Sequence, residues 1–351
     1  MKRRYAPLLI SVLLFPAIFL SGSCRREGGR YGEETTDITL NIGMQGEDLS
    51  VSTKAGSDPN VLEFEGIRTL RVIVVSPEGD AGGRRILYNE KHPVEQAAPP
   101  VLSASLTLED VPIGPADIYV IANEESIIGG EGYTDAILQG EQYKDDNKLL
   151  VLDEGWHFFP RRYADIEENG LPMSGRLEDI VITPGMSFGP IELIRAVVKI
   201  HLTVENATGA GMTLKWVRFG NFISDRVFMF RESGVSLDIP EGTQYEERQY
   251  GGEGEESMNV SLQPNARTDW DPVYILPNFA YPSDNVPNPY TLSLGTDLKD
   301  YLGSVLDDNI NSMVRNTQVN ILARITSSAS ISIDYHFVEW TEEEIDVPSF
   351  N

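Results

Sequence analysis

The chain has 351 residues, with 54 Asp and Glu against 28 Lys and Arg and a net charge of −26. So acidic a chain offers no basic stripe for phosphates, which excludes nucleic acid as a partner. One cysteine allows no internal disulfide, so stability rests on buried core, and the length allows two bodies of ordinary domain size.

The N-terminus reads as an export signal over 1–23. Lys2, Arg3 and Arg4 form a positive start, 6–20 (APLLISVLLFPAIFL) is apolar, and Ser21, Gly22 and Ser23 lead into Cys24. The apolar run is too short to span a bilayer, and Pro7 and Pro16 interrupt it. Small residues before the lone cysteine resemble the lipobox of bacterial lipoproteins, which implies cleavage ahead of Cys24 and lipid on it. Several acyl chains would then anchor the protein stably to the outer membrane. Without Lys2, Arg3 and Arg4 the basic residues fall from 28 to 25 against 54 acidic ones, a net charge of −29.

Residues 24–36 (CRREGGRYGEETT) are a flexible tether. In 37–44 (DITLNIGM) Ile38, Leu40, Ile42 and Met44 alternate with Thr39, Asn41 and Gly43, the period of a half-buried strand. The polar stretch 45–60 follows, with Ser52-Thr53-Lys54-Ala55-Gly56 inside it. Strands are predicted at 67–75, 103–108 and 111–122, together a β-meander, and 127–143 has room for one short helix. Trp156, Phe158 and Phe159 read as core rings before Pro160.

Another strand is predicted at 179–183, then a Pro/Gly hinge over 184–190 and one long strand over 191–204 (IELIRAVVKIHLTV). Strands follow at 212–220, 227–230, 260–262 and 273–276. Leu298, Tyr301, Leu302, Val305 and Leu306 recur at helical spacing after Thr296 and Asp297, which predicts a capped amphipathic helix. The chain ends with strands at 317–326 and 330–340 and a tail, 341–351. The predicted fold is all-β: two β-sandwiches in tandem, 37–189 and 190–351, with a few short helices.

Catalytic and metal chemistry is sparse. Gly185-Met186-Ser187-Phe188-Gly189 matches the G-x-S-x-G nucleophile elbow, but the motif needs a helix after the serine and a strand is predicted there. His92, His157, His201 and His336 form no His-x-x-x-His pair. Around Asp307 a calcium loop would need glycine where Ser312 stands and glutamate where Gln318 stands. The chain reads as a non-enzyme with no cofactor and no metal.

Several short motifs together resemble the FimA-type fimbrillins, lipoprotein precursors of Bacteroides-type (type V) pili. They are 67–75 (IRTLRVIVV), 114–123 (GPADIYVIAN), Leu171-Pro172-Met173-Ser174-Gly175, Arg195 with Lys199, Arg315-Asn316-Thr317, and Phe337-Val338-Glu339-Trp340. The resemblance implies two transthyretin-like β-sandwiches, cell-surface display and donor-strand exchange with other fimbrial subunits. A processing protease would cut after Lys54, ahead of Ala55, and release the strand carrying Ile38, Leu40, Ile42 and Met44. Position 54 is lysine, which an arginine-specific protease does not cut. The region 330–351, carrying Ile331, Ile333, Tyr335, Phe337, Ile345 and Val347, would donate the replacement. The alternative is a surface glycan-binding lipoprotein using Trp156 and Trp270 as stacking platforms.

Overall fold

A computed structural model describes residues 34–45, 61–77, 84–96, 100–126, 151–152, 161–225, 227–230, 243–252, 258–278, 290–305, 313–326 and 331–339. The described residues are all-β. In chain order the strands are β1 (Thr35–Met44), β2 (Thr69–Val75), β3 (Ile86–Pro93), β4 (Ser103–Pro112), β5 (Gly114–Ala122), β6 (Val151–Leu152) and β7 (Arg161–Arg162). Then come β8 (Met173–Ile182), β9 (Ser187–Arg195), β10 (Val198–Asn206), β11 (Met212–Ser224), β12 (Val227–Phe228), β13 (Tyr245–Tyr250), β14 (Val260–Leu262) and β15 (Ala266–Asp269). The last five are β16 (Val273–Ile275), β17 (Thr291–Thr296), β18 (Asp300–Val305), β19 (Thr317–Ile325) and β20 (Ile331–Glu339).

The first sheet has the order β3-β2-β5-β8-β9-β1-β4. β9 joins its two parts. It pairs with β1 from Ser187 to Leu193, and with β8 only through Ile194 and Arg195. The predicted meander of 67–75, 103–108 and 111–122 is not formed: β2 pairs with β3 and β5, while β4 lies at the far edge of the sheet beside β1. Apolar alternation sets which face a strand buries and leaves its neighbours open. β2 and β5 are mostly apolar and buried on both faces, with Arg71 and Asp117 as their buried charges, unlike the alternating β1.

Two further sheets enclose a second apolar cluster. One has the order β20-β19-β10-β16-β7 with β15 beside β10; the other is β13-β11-β17-β18 with β14 beside β11. β10 turns Val198, Ile200, Leu202 and Val204 into this cluster, against Phe219, Leu292 and Ile321. The single strand predicted over 191–204 is in fact two, β9 and β10. The chain bends at Ala196 and Val197, which close the first cluster, and Val198 opens the second. Both bend residues are fully buried, so nothing in the hydropathy marks the break.

The predicted helix near 298–306 is a correction. Where described, this stretch is a hairpin of β17 and β18, and Leu298 and Leu302 are 62% and 69% exposed rather than core. Gly303 takes a left-handed φ of 64°, which interrupts any helix. Thr296 does cap a turn: its Oγ1 accepts from the Leu298 and Lys299 amides at 3.2 and 3.0 Å. The few short helices expected reduce, among the described residues, to 3-10 turns at Glu63–Glu65, Glu124–Ser126 and Tyr163–Ile166.

The two clusters meet at a buried polar joint. Lys199 Nζ lies 2.9 Å from Glu65 Oε1, with side chains 4% and 0% exposed. The Tyr274 hydroxyl donates to the same oxygen at 2.6 Å, and the Leu62 amide donates to the other at 2.9 Å. Burial beside Glu65 pushes the Tyr274 phenol far above its usual range and keeps it a donor. Nearby, Arg315 donates to the carbonyls of Met229 and Phe228, and Ser174 Oγ donates to Met229 at 2.6 Å. Met229 and Phe230 themselves pack into the first cluster, Phe230 edge-on to Tyr119. Lys199→Met would remove a buried positive charge 2.9 Å from Glu65, at a cost of about 3–5 kcal/mol. A urea titration should show the loss as a lower midpoint, and an unchanged midpoint would refute the joint's importance.

Candidate functional site

The site is the place β1 occupies. Ile38, Leu40, Ile42 and Met44 are each 0–1% exposed, all on the core side of the strand. On one flank β1 runs antiparallel to β4, from Thr35 opposite Pro112 to Gly43 opposite Ser103. On the other it runs parallel to β9, from Thr39 opposite Ser187 to Met44 opposite Leu193. The ends are tied as well: the Met44 amide donates to Leu102 O at 2.9 Å and the Gln45 amide to Leu193 O at 2.9 Å. β1 therefore fills a slot with two lips, and it is the first strand of the described body.

The outer face of the slot is polar. Asn41 is exposed, and its side chain spans both lips: Nδ2 donates to Ser187 Oγ at 3.1 Å, and Ser105 Oγ donates to Oδ1 at 3.2 Å. At the same rung Gly189, with φ +122°, passes so close that a Cβ on it would sit 2.4 Å from Asn41 O. β9 also shifts register here, between the partners of Leu40 and Ile42. Asn41, Ser105, Ser187 and Gly189 escape the sequence reading, because their meeting is set by tertiary pairing. Two of them sit inside the G-x-S-x-G match. Gly185 takes a left-handed φ of 73° in the turn and Ser187 opens a strand, so the helix that a nucleophile elbow requires is absent.

The other predicted positions are dispersed. Cys24, Lys54, Ala55, Trp156, Ile345 and Val347 lie outside the described residues, as do 127–143 and Asp307. Ile333, Tyr335 and Phe337 belong to β20, which pairs antiparallel with β19 and forms one edge of its sheet. Ile331, on the same strand, packs partly buried against the second cluster. Trp270 stacks on Phe219 at 6.2 Å and meets Tyr250 edge-on at 5.3 Å, so its ring serves the core. Among the described residues no three His, Cys, Asp or Glu side chains are grouped to hold a metal ion.

Several of the pieces that carry the resemblance meet near the joint. Arg195 Nη1 donates to Asn316 Oδ1 at 3.0 Å, and Asn316 Nδ2 reaches Gln45 Oε1 at 3.2 Å, next to the end of β1. Asn123 uses its amide to hold Gly66 O and Leu171 O at 3.0 and 2.8 Å. Lys199, Ser174 and Arg315 belong to the same region, as described above.

No protein-family model and no curated protein matches the sequence. Solved structures do match over nearly the whole chain. The tip fimbrial protein Mfa3 from Porphyromonas gingivalis is 14% identical, with a TM-score of 0.51 over 88% of this chain and 100% of its own. A structure described as a cell adhesion protein from Parabacteroides distasonis is 14% identical, with a TM-score of 0.55 over 87% of this chain and 97% of its own. A fimbrial assembly protein from the same organism is 14% identical, with a TM-score of 0.50 over 88% and 98%. The chain has the fold of these fimbrial and adhesion proteins.

The close approach at Gly189 is testable against Gly185, which also has a positive φ but nothing within 4 Å of an added Cβ. Gly185→Ala carries backbone strain alone, about 1–2 kcal/mol. Gly189→Ala must in addition displace the Asn41 carbonyl, so its urea midpoint should fall clearly below that of Gly185→Ala. Equal midpoints would mean that β1 is not pressed against β9 at this rung.

Proposed function

We propose that the chain is a structural or adhesive subunit of a cell-surface fimbria, made as a lipoprotein and assembled by donor-strand exchange. The observation that supports this best is the position of β1: the first strand, paired on both sides, with four apolar side chains buried. A terminal strand can leave its slot without threading any loop, and the slot it leaves has two unpaired lips and an apolar floor. Such a slot is a template for β-augmentation. The fold shared with fimbrial tip and assembly proteins agrees with this role.

Lipid on Cys24 would tether the precursor to the outer membrane while it folds, and a trypsin-like protease would cut after Lys54. Burying Ile38, Leu40, Ile42 and Met44 is worth about 6–12 kcal/mol gross. Ordering the strand costs a similar amount, at about 1–2 kcal/mol per residue. The strand is thus held firmly while attached and lost at low concentration once cut.

Within 330–351, the strand Ile331–Glu339 already completes a ladder with β19. Donating it would strip the second body of an edge strand. The tail with Ile345 and Val347 would leave that ladder intact, and we assign the donor role to it. The partners are other fimbrial subunits, and neither catalysis nor a cofactor has a part in the scheme. We read the two bodies as the tandem transthyretin-like sandwiches that the resemblance implies; β9 stays with the first cluster and β10 opens the second, so the division falls between Val197 and Val198.

Limited trypsin digestion of the purified precursor tests the scheme. The expected product begins at Ala55, has lost the β1 peptide by intact mass, and forms oligomers on size exclusion with light scattering. A trimmed product that stays monomeric at high concentration would reject assembly by exchange.

A further inference from the structure

Period-two alternation cannot by itself seat a strand in one register. A one-residue slip turns the apolar set outward, but a two-residue slip keeps every apolar side chain facing the core. The floor of the slot receives Ile38, Leu40, Ile42 and Met44, four side chains of similar bulk, so slipped pairings differ little on that face. Some other feature must distinguish them.

Three features meet at the rung of Asn41. Its amide bridges Ser105 on one lip and Ser187 on the other. Gly189 approaches its carbonyl more closely than any side chain would permit. The register shift of β9 also falls opposite it. The neighbouring outer positions are Thr39 and Gly43, and neither carries a side-chain amide. A slip by two would set one of them between the serines, with the irregularity of β9 misplaced.

We infer that this rung fixes the register, with Ser105 and Ser187 as specificity-determining residues that select a side-chain amide on the strand between them. The inference rests on the exchange reading of the slot and gives the chemistry of its occupant. That occupant is an extended peptide with four alternating apolar residues and an amide between the second and third.

The test uses the full chain, with Cys24→Ser, a sequence-specific protease site after Lys54, and synthetic peptides of residues 35–45. After cleavage and removal of the native strand, the Asn41→Ala peptide should bind about fivefold more weakly than the natural peptide, the value of two exposed hydrogen bonds. That preference should vanish in a Ser105→Ala/Ser187→Ala chain. Register is read by disulfide trapping. A peptide with Thr39→Cys should cross-link to Thr107→Cys, its partner across the ladder. Adding Asn41→Ala should spread the cross-link to Glu109→Cys, two residues along.

Equal binding of the two peptides, a preference that survives loss of the serines, or an unspread cross-link would each overturn the inference. If the natural peptide fails to bind at all, the exchange reading falls, and the uncut chain then decides the register claim. There the urea-midpoint loss from Asn41→Ala should disappear in the Ser105→Ala/Ser187→Ala background. Additive losses would refute the inference.

Discussion

A strand paired along both edges cannot be peeled away rung by rung at little cost; it comes out whole or stays. β1 is held in this way, antiparallel to β4 and parallel to β9, and the surrounding sheet depends on it for continuity. Without β1 the β4 strand would lose its partner in the sheet, and β9 would keep only the two rungs that tie it to β8. The core side of β1 supplies the cohesion, and its outer side supplies position. These are separate tasks, carried by alternate residues of one short segment.

The second organising feature is the joint. Glu65, Lys199 and Tyr274 bring a carboxylate, an ammonium and a phenol together where almost no water reaches. A buried pair of this kind adds less to net stability than its short distances suggest, because desolvation offsets attraction. Its effect is on geometry: Glu65 belongs to a 3-10 turn of the first body, and Lys199 and Tyr274 face each other across β10 and β16. Asn316 links Arg195 to Gln45, beside the last residue of β1.

Much of this architecture can be read directly from the residues. The alternation in 37–44, the apolar run of β2 and the long pattern at β19 each mark a strand, because the periodicity that buries a face is local. The strands missed include β3 and β17, which bury apolar residues without a long alternating pattern, and two that bury little. β13 (YEERQY) and β15 (ARTD) are mostly exposed and are held by backbone pairing to partners far away in sequence. The hairpin of β17 and β18 looked helical because leucines at helical spacing and a capping threonine fit both outcomes. Pairing with β11, about 80 residues upstream, decides for strand. The outer face of the slot was hidden for the same reason: Asn41 and Ser187 are neighbours only once β1 lies beside β9. By contrast, the motif residues that suggested the fold do have local signatures, and the structure gathers Asn123, Ser174, Arg195, Lys199 and Arg315 near the joint.

Met229 and Phe230 leave the run of strands that builds the second core and lodge in the first. The protein is dovetailed as well as jointed. A gene fragment ending at Val197 would code for a body with an uncovered hollow beside Tyr119, and the complementary fragment would carry two greasy side chains with no home. Neither piece should be expected to behave well alone, and force applied between the two cores would have to draw the dovetail out before they could separate.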